Sequence, residues 1–194
     1  MFVFIGRSGC GKGTQATFLK EYLKEHDTTA RPVLYIESGG RFRELIKGGS
    51  YTGKLCEDVN TRGKRGADFL GVWGWASVLV EQSTGNEHVM FDGSPRSLTE
   101  AMAMSSAFNF YGHTANVIFL NVSREWSFKH LMSRGRADDA SVDAINKKLD
   151  WFDTDVMPGI EFLRNDPHCN FIEVNGEMGK EDVHNFIVSH LKVS

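Results

Sequence analysis

Four glycines in eight residues, at 6, 9, 11 and 13, separate the apolar run Phe2–Ile5 from a helical pattern that opens at Lys12. Glycine tolerates backbone angles closed to other residues, so successive N–H groups of Gly6-Arg7-Ser8-Gly9-Cys10-Gly11-Lys12-Gly13-Thr14 can point into one concavity at a helix N-terminus. That concavity suits phosphate oxygens, with Lys12 adding a mobile positive charge. A glycine-rich turn carrying an exposed lysine is the bland alternative, and the flanking strand and helix argue against it. A strand-turn-helix of this kind belongs to an α/β protein, and the rest of the chain keeps the rhythm. Strands are expected at Val33–Ile36, Val89–Phe91, Asn116–Val122 and Asn170–Val174, each rich in β-branched or aromatic residues. Helices are expected at Gly40–Lys47, Asp68–Gln82, Leu98–Phe110, Arg124–Ser133, Ser141–Val156 and Lys180–Leu191. Together they predict a doubly wound, five-stranded parallel sheet with helices on both faces.

Charge and cysteine usage exclude several function classes. Lys and Arg total 22 against 25 Asp and Glu, so the net charge of −3 leaves no general field for nucleic acid or anionic lipid. Any anion site must be local. Cys10, Cys56 and Cys169 are odd in number and widely spaced, which argues against a disulfide framework and a thiolate zinc site. The first residues enter strand and turn directly, without a basic leader or a long apolar stretch. A soluble cytoplasmic protein, without membrane or nucleic-acid partners, is the expectation. The seven histidines show no metal-ligand spacing and read mostly as surface residues.

The order of residues after Lys12 departs from the common phosphate-loop pattern, in which Ser or Thr follows the lysine directly; here Gly13 intervenes before Thr14. Gly11-Lys12-Gly13-Thr14-Gln15 resembles the loop of the adenylate kinases. Asp92-Gly93-Ser94-Pro95-Arg96 is similar to that family's Asp-Gly-Phe-Pro-Arg, with Ser94 replacing the aromatic residue, and Ser38-Gly39-Gly40-Arg41-Phe42-Arg43 partly matches its Thr-Gly-Asp-Met-Leu-Arg. Arg134-Gly135-Arg136-Ala137-Asp138-Asp139 looks like the family's lid in its short form, with no room for a zinc-bearing insert. Singly, Asp92 reads as a turn residue, Ser38 as a helix cap and Arg43 as a solvated charge. Four motifs in the family's order make the resemblance specific across nearly the whole chain.

The resemblance implies one P-loop NTPase-type kinase domain: a core of residues 1–37, 68–133 and 140–194, a monophosphate-binding insertion at about 38–67, and a lid at about 134–139. Both appendages should move, excluding water as they close. It also implies roles. Gly9, Cys10, Gly11, Lys12, Gly13 and Thr14 would cradle ATP, with Arg134 on its phosphates and backbone at Met178 on its base. The acceptor monophosphate would meet Ser38, Arg43, Lys64, Arg65, Gly66, Gly93, Ser94, Pro95, Arg96 and Glu100. Lys12, Arg96, Arg134, Arg136 and Lys148 would carry catalysis, the last two also touching the acceptor. Asp92 would organise Mg2+ through water, since magnesium keeps much of its hydration shell. The implied activity is ATP + AMP = 2 ADP, by a monomer, with Mg2+ and without structural zinc.

Three departures bear on that activity. His130 and Lys148 stand where the family usually has arginine, and Lys148 lacks the planar fork of donors. Glu100 stands where the family usually has an adenine-reading glutamine. An ionised carboxylate only accepts hydrogen bonds, which suits the N1–H and N2 donors of guanine better than adenine. A kinase preferring GMP or another monophosphate therefore stays open, as do a weakly active or non-catalytic nucleotide-binding homologue and a small-molecule kinase of the shikimate or gluconate type.

Overall fold

The strands that form first in sequence end up in the middle and at one edge of the sheet. The computed structural model describes residues 1–61, 66–135 and 141–192. Strands β1 (Phe2–Gly6), β2 (Val33–Glu37), β3 (His88–Asp92), β4 (Ala115–Asn121) and β5 (Cys169–Asn175) lie in the order β2-β3-β1-β4-β5. Every pairing is parallel. The chain runs from β1 out to the edge, returns to β3 beside it, and then crosses to β4. That reversal opens a crevice at the carboxyl end of β1, where ligands of open parallel sheets bind.

Alternation along β1 explains the two-sided core. Val3 and Ile5 join Trp75, Leu79, Met104, Phe108, Ile160 and Leu163 on one face. Those residues lie on α4 (Asp68–Gln82), α5 (Leu98–Phe110) and α8 (Met157–Arg164). Phe2 and Phe4 face the other way, against Leu19 and Leu23 of α1 (Lys12–His26) and Val183 and Ile187 of α9 (Lys180–His190). A strand segment buried on both faces is apolar along its length, which is why Phe2–Ile5 shows no polar alternation. A smaller cluster of Leu131, Ile145 and Leu149 joins α6 (Arg124–Arg134) to α7 (Val142–Trp151).

Two stretches differ from the sequence expectation. Helix α2 begins at Ser38 (Ser38–Lys47), and a further helix, α3 (Tyr51–Thr61), lies between the expected helices Gly40–Lys47 and Asp68–Gln82, where the sequence predicts none. A Cβ at Gly53 would stand 2.3 Å from the Leu45 carbonyl oxygen, so α3 packs backbone against backbone on α2. Apolar periodicity is a poor guide to a contact made through a missing side chain. The expected helix 141–156 is α7 followed by a π-helical turn, Phe152–Val156, and runs on as α8. Pro158 lies at the start of α8, directly after the π-helical turn, so the helical path passes through a proline. Among the described residues no helix is long and apolar enough to cross a membrane.

Candidate functional site

The glycine-rich loop sits at the end of β1, in the crevice. Gly9 and Gly11 have φ of +83° and +94°, and Gly11 in this left-handed conformation immediately precedes α1. Lys12 Nζ donates to the carbonyls of Gly6 (2.8 Å) and Arg7 (2.9 Å), folding the ammonium back over its own loop. Gly13 and Thr14 are exposed at the mouth and Cys10 is buried beneath. Side chains brace the loop from outside: Ser127 Oγ donates to the Ser8 carbonyl, and Arg7 pairs with Asp153 of the π-helical turn at 2.6 Å.

Asp92 ends β3 beside the loop, its Oδ2 lying 3.7 Å from where a Cβ on Gly13 would be. The Tyr35 hydroxyl of β2 donates to the same oxygen at 2.6 Å. Burial, and then this hydrogen bond to a carboxylate, hold the Tyr35 phenol above its usual pKa. Ser94 is fully buried and shares a short hydrogen bond with Ser38 Oγ, tying the turn after β3 to the start of α2. Pro95 is buried beside it, and Arg96 Nε donates to the Gly93 carbonyl at 2.8 Å.

Two guanidinium groups meet over Gly39. A Cβ there would stand 3.2 Å from Arg43 Nη1 and 3.3 Å from Arg96 Nη2, so glycine leaves both forks room above the end of β2. Arg43 also donates to Glu37 Oε1 at 2.7 Å across an exposed pair. Two convergent planar forks have the donor geometry that suits a phosphate dianion.

Glu100 is 1% exposed, and its carboxylate accepts from the Arg96 backbone N–H. Its other oxygen fills the space of a missing side chain, for a Cβ on Gly71 of α4 would overlap Glu100 Oε1 at 1.7 Å. The side chain thus clamps the Arg96 turn to the start of α5, whose cap is the Ser97 hydroxyl. Gly66 lies against the Phe42 ring of α2.

Met178 is exposed, and the turn before it is tied to the start of α6 by the Ser123 N–H donating to Glu177 Oε1 at 2.6 Å. A shallow groove of about 370 Å³ lies there, lined by Asn121, Val122, Ser123, Glu173, Asn175 and Glu177. Arg134 and Lys148 are half-buried, at the end of α6 and within α7. The His130 ring stacks on Trp126 with centroids 3.5 Å apart. Lys64, Arg65, Arg136, Asp138 and Asp139 lie outside the described residues.

The donor set at Asp92 is one carboxylate facing the loop. Among the described residues no three His, Cys, Asp or Glu side chains gather to cage an ion. A single carboxylate suits Mg2+, which brings its own water and is shared with a phosphate ligand.

No protein-family model matches the chain. An adenylate kinase from Parabacteroides distasonis is 31% identical over 161 residues, 80% of this chain and 80% of that protein. The chain belongs to the adenylate kinase family. It is similar as well to adenylate kinases from Prochlorococcus marinus, 28% identical over 91% of each chain, and Leptospira biflexa, 27% identical over 97% of this chain and 98% of that one. The chain is accordingly an ATP-dependent nucleoside monophosphate kinase, a phosphotransferase, on a five-stranded parallel α/β fold.

Within this kinase, several residues at the site carried no sequence signal. Tyr35 and Asp92 are distant in the chain and meet only because β2 and β3 pair in parallel, with Glu37 opposite Asp92. Gly71 matters through the side chain it lacks. Arg7 and Asp153 are likewise far apart in sequence and adjacent in space. His88 is an exception to the surface reading of the histidines: it is buried beside Asp27 at the far end of the sheet, 2.8 Å from its carboxylate.

Proposed function

We propose that this kinase transfers the γ-phosphoryl group of Mg-ATP to AMP by direct in-line displacement, with no covalent intermediate. The observation that carries this reading is the meeting of an anion-binding loop, a carboxylate and two guanidinium groups in one crevice: Lys12, Asp92, and Arg43 with Arg96 over Gly39. Phosphoryl transfer asks for positioning and charge stabilisation rather than a nucleophilic side chain. Lys12 and the amides of Gly9 to Thr14 hold the donor phosphates. Arg43 and Arg96 clamp the acceptor phosphate, beside Ser38 and the Gly93-Ser94-Pro95 turn. Arg134, Arg136 and Lys148 meet charge on the transferring group, backbone at Met178 contacts the donor base, and Lys64, Arg65 and Gly66 border the acceptor nucleoside. Asp92 would hold Mg2+ through water, where a bound ion would supply charge neutralisation for the donor phosphates.

The name adenylate kinase on the relatives supports AMP as acceptor. A preference for GMP is the second reading, and Glu100 favours it, because a carboxylate offers adenine N1 no donor. Initial rates with AMP, GMP, CMP, UMP and their deoxy forms, with ATP as donor, test both. The highest kcat/KM is expected for AMP; a higher value for GMP would replace the first reading with the second, and no turnover with any of them would sink both.

A further inference from the structure

Tyr35 of β2 is half-buried near the carboxyl end of the sheet, beside the crevice. Its hydroxyl donates to Asp92 Oδ2 at 2.6 Å. Strand pairing sets this contact: Tyr35 lies opposite Met90 and Glu37 lies opposite Asp92, so the phenol reaches diagonally along one face of the sheet to the last residue of β3. The oxygen it holds is the one next to the first turn of α1. On its outer side, Lys20 Nζ lies 5.2 Å from the centre of the Tyr35 ring, within reach of a cation–π contact that keeps the ring against the sheet.

We infer that Tyr35 is a positioning residue, acting through Asp92 to fix the plane of the carboxylate that meets the hydrated metal of the donor nucleotide. The inference rests on the reading of Asp92 proposed above. The torsion that turns a carboxylate is soft and roughly two-fold, so a strand-end aspartate by itself points its oxygens over a wide range. A neutral donor on one oxygen removes that freedom without cancelling the charge and leaves the second oxygen aimed. Partners in the second shell of a metal site act in this way, and their loss typically weakens metal binding by about 10- to 100-fold. Because Asp92 would meet the ion through water, about tenfold is expected here.

The test is equilibrium binding of ATP, without acceptor, to wild type and Tyr35→Phe across a Mg2+ titration and in chelator. Phenylalanine keeps the ring against the sheet, and thermal melting checks the fold. In the variant the Mg2+ concentration giving half of the metal-dependent gain in ATP affinity should rise about tenfold, while ATP affinity in chelator and acceptor KM stay unchanged. In an Asp92→Asn background, Tyr35→Phe should add nothing, because both changes act through one carboxylate. An equal loss of ATP affinity with and without Mg2+, or an undiminished effect beside Asp92→Asn, would overturn the inference and make Tyr35 a packing residue. Wild-type ATP binding indifferent to Mg2+ would overturn the reading of Asp92 itself, and this inference with it.

Discussion

The proposed donor side and the proposed acceptor side of the crevice are built by different means. The loop from Gly6 to Thr14 is shaped by backbone: positive φ at Gly9 and Gly11, amides at a helix start, and a lysine held by carbonyls of its own loop. The acceptor side is shaped by side chains from separate segments, in the pairs Arg43 with Glu37, Ser38 with Ser94, and Glu100 with the hollow at Gly71. A backbone site is specified locally and depends on few side chains. A side-chain site can be retuned one residue at a time, and it is here that the chain departs most from the family's motifs. The comparison predicts that substitutions on the donor side remove turnover, whereas those on the acceptor side change affinity and choice of base.

Lys12→Ala gives the largest expected effect. Removing a preorganised charge from a transferring phosphoryl group should lower kcat by at least about 100-fold, with thermal melting unchanged. Retention of a third of the activity would make Lys12 an ordinary surface lysine and end the contrast.

Gly71→Ala probes the acceptor side where space is tightest. The new Cβ and Glu100 Oε1 cannot share one position, so the clamp on the Arg96 turn must shift, at a cost of about 1–3 kcal/mol. The melting temperature should fall and acceptor KM should rise, while ATP affinity holds. Shortening the side chain in Gly71→Ala/Glu100→Ala should recover most of the melting temperature; no recovery would mean that another contact is responsible.

Glu100→Gln keeps the shape and changes the chemistry. An amide can donate to adenine N1, so the ratio of kcat/KM for AMP over GMP should rise by about tenfold, within the range for pairing a buried polar partner. An unchanged ratio would leave Glu100 as a clamp with no part in reading the base.

The smallest effect is expected at Glu37→Gln. The pair with Arg43 is exposed, and exposed pairs contribute at most about 1 kcal/mol, so the acceptor phosphate gains no more than about a fivefold lower KM when the competing charge is removed. The gain should shrink with added salt, and kcat should stay level. A higher KM would mean that Glu37 holds Arg43 in place for the acceptor instead of competing for it.

The sequence by itself determined the strand runs, most of the helices, the phosphate loop and the motifs that mark the family, because each is written in neighbouring residues. Apolar runs buried on both faces and glycines before Lys12 need no distant partner to be recognised. Helix α3 escaped because its close packing on α2 depends on the absence of a side chain at Gly53, and the run into α8 escaped because Pro158 reads locally as a stop. Glu100 was legible as a departure, but that its carboxylate is buried in the hollow of Gly71 and holds the Arg96 amide was not. Tertiary structure alone decided such pairings, along with Tyr35 on Asp92 and two guanidinium groups over Gly39. Parallel strands bring together residues separated by a whole helical crossover, and no local pattern records which of them will meet.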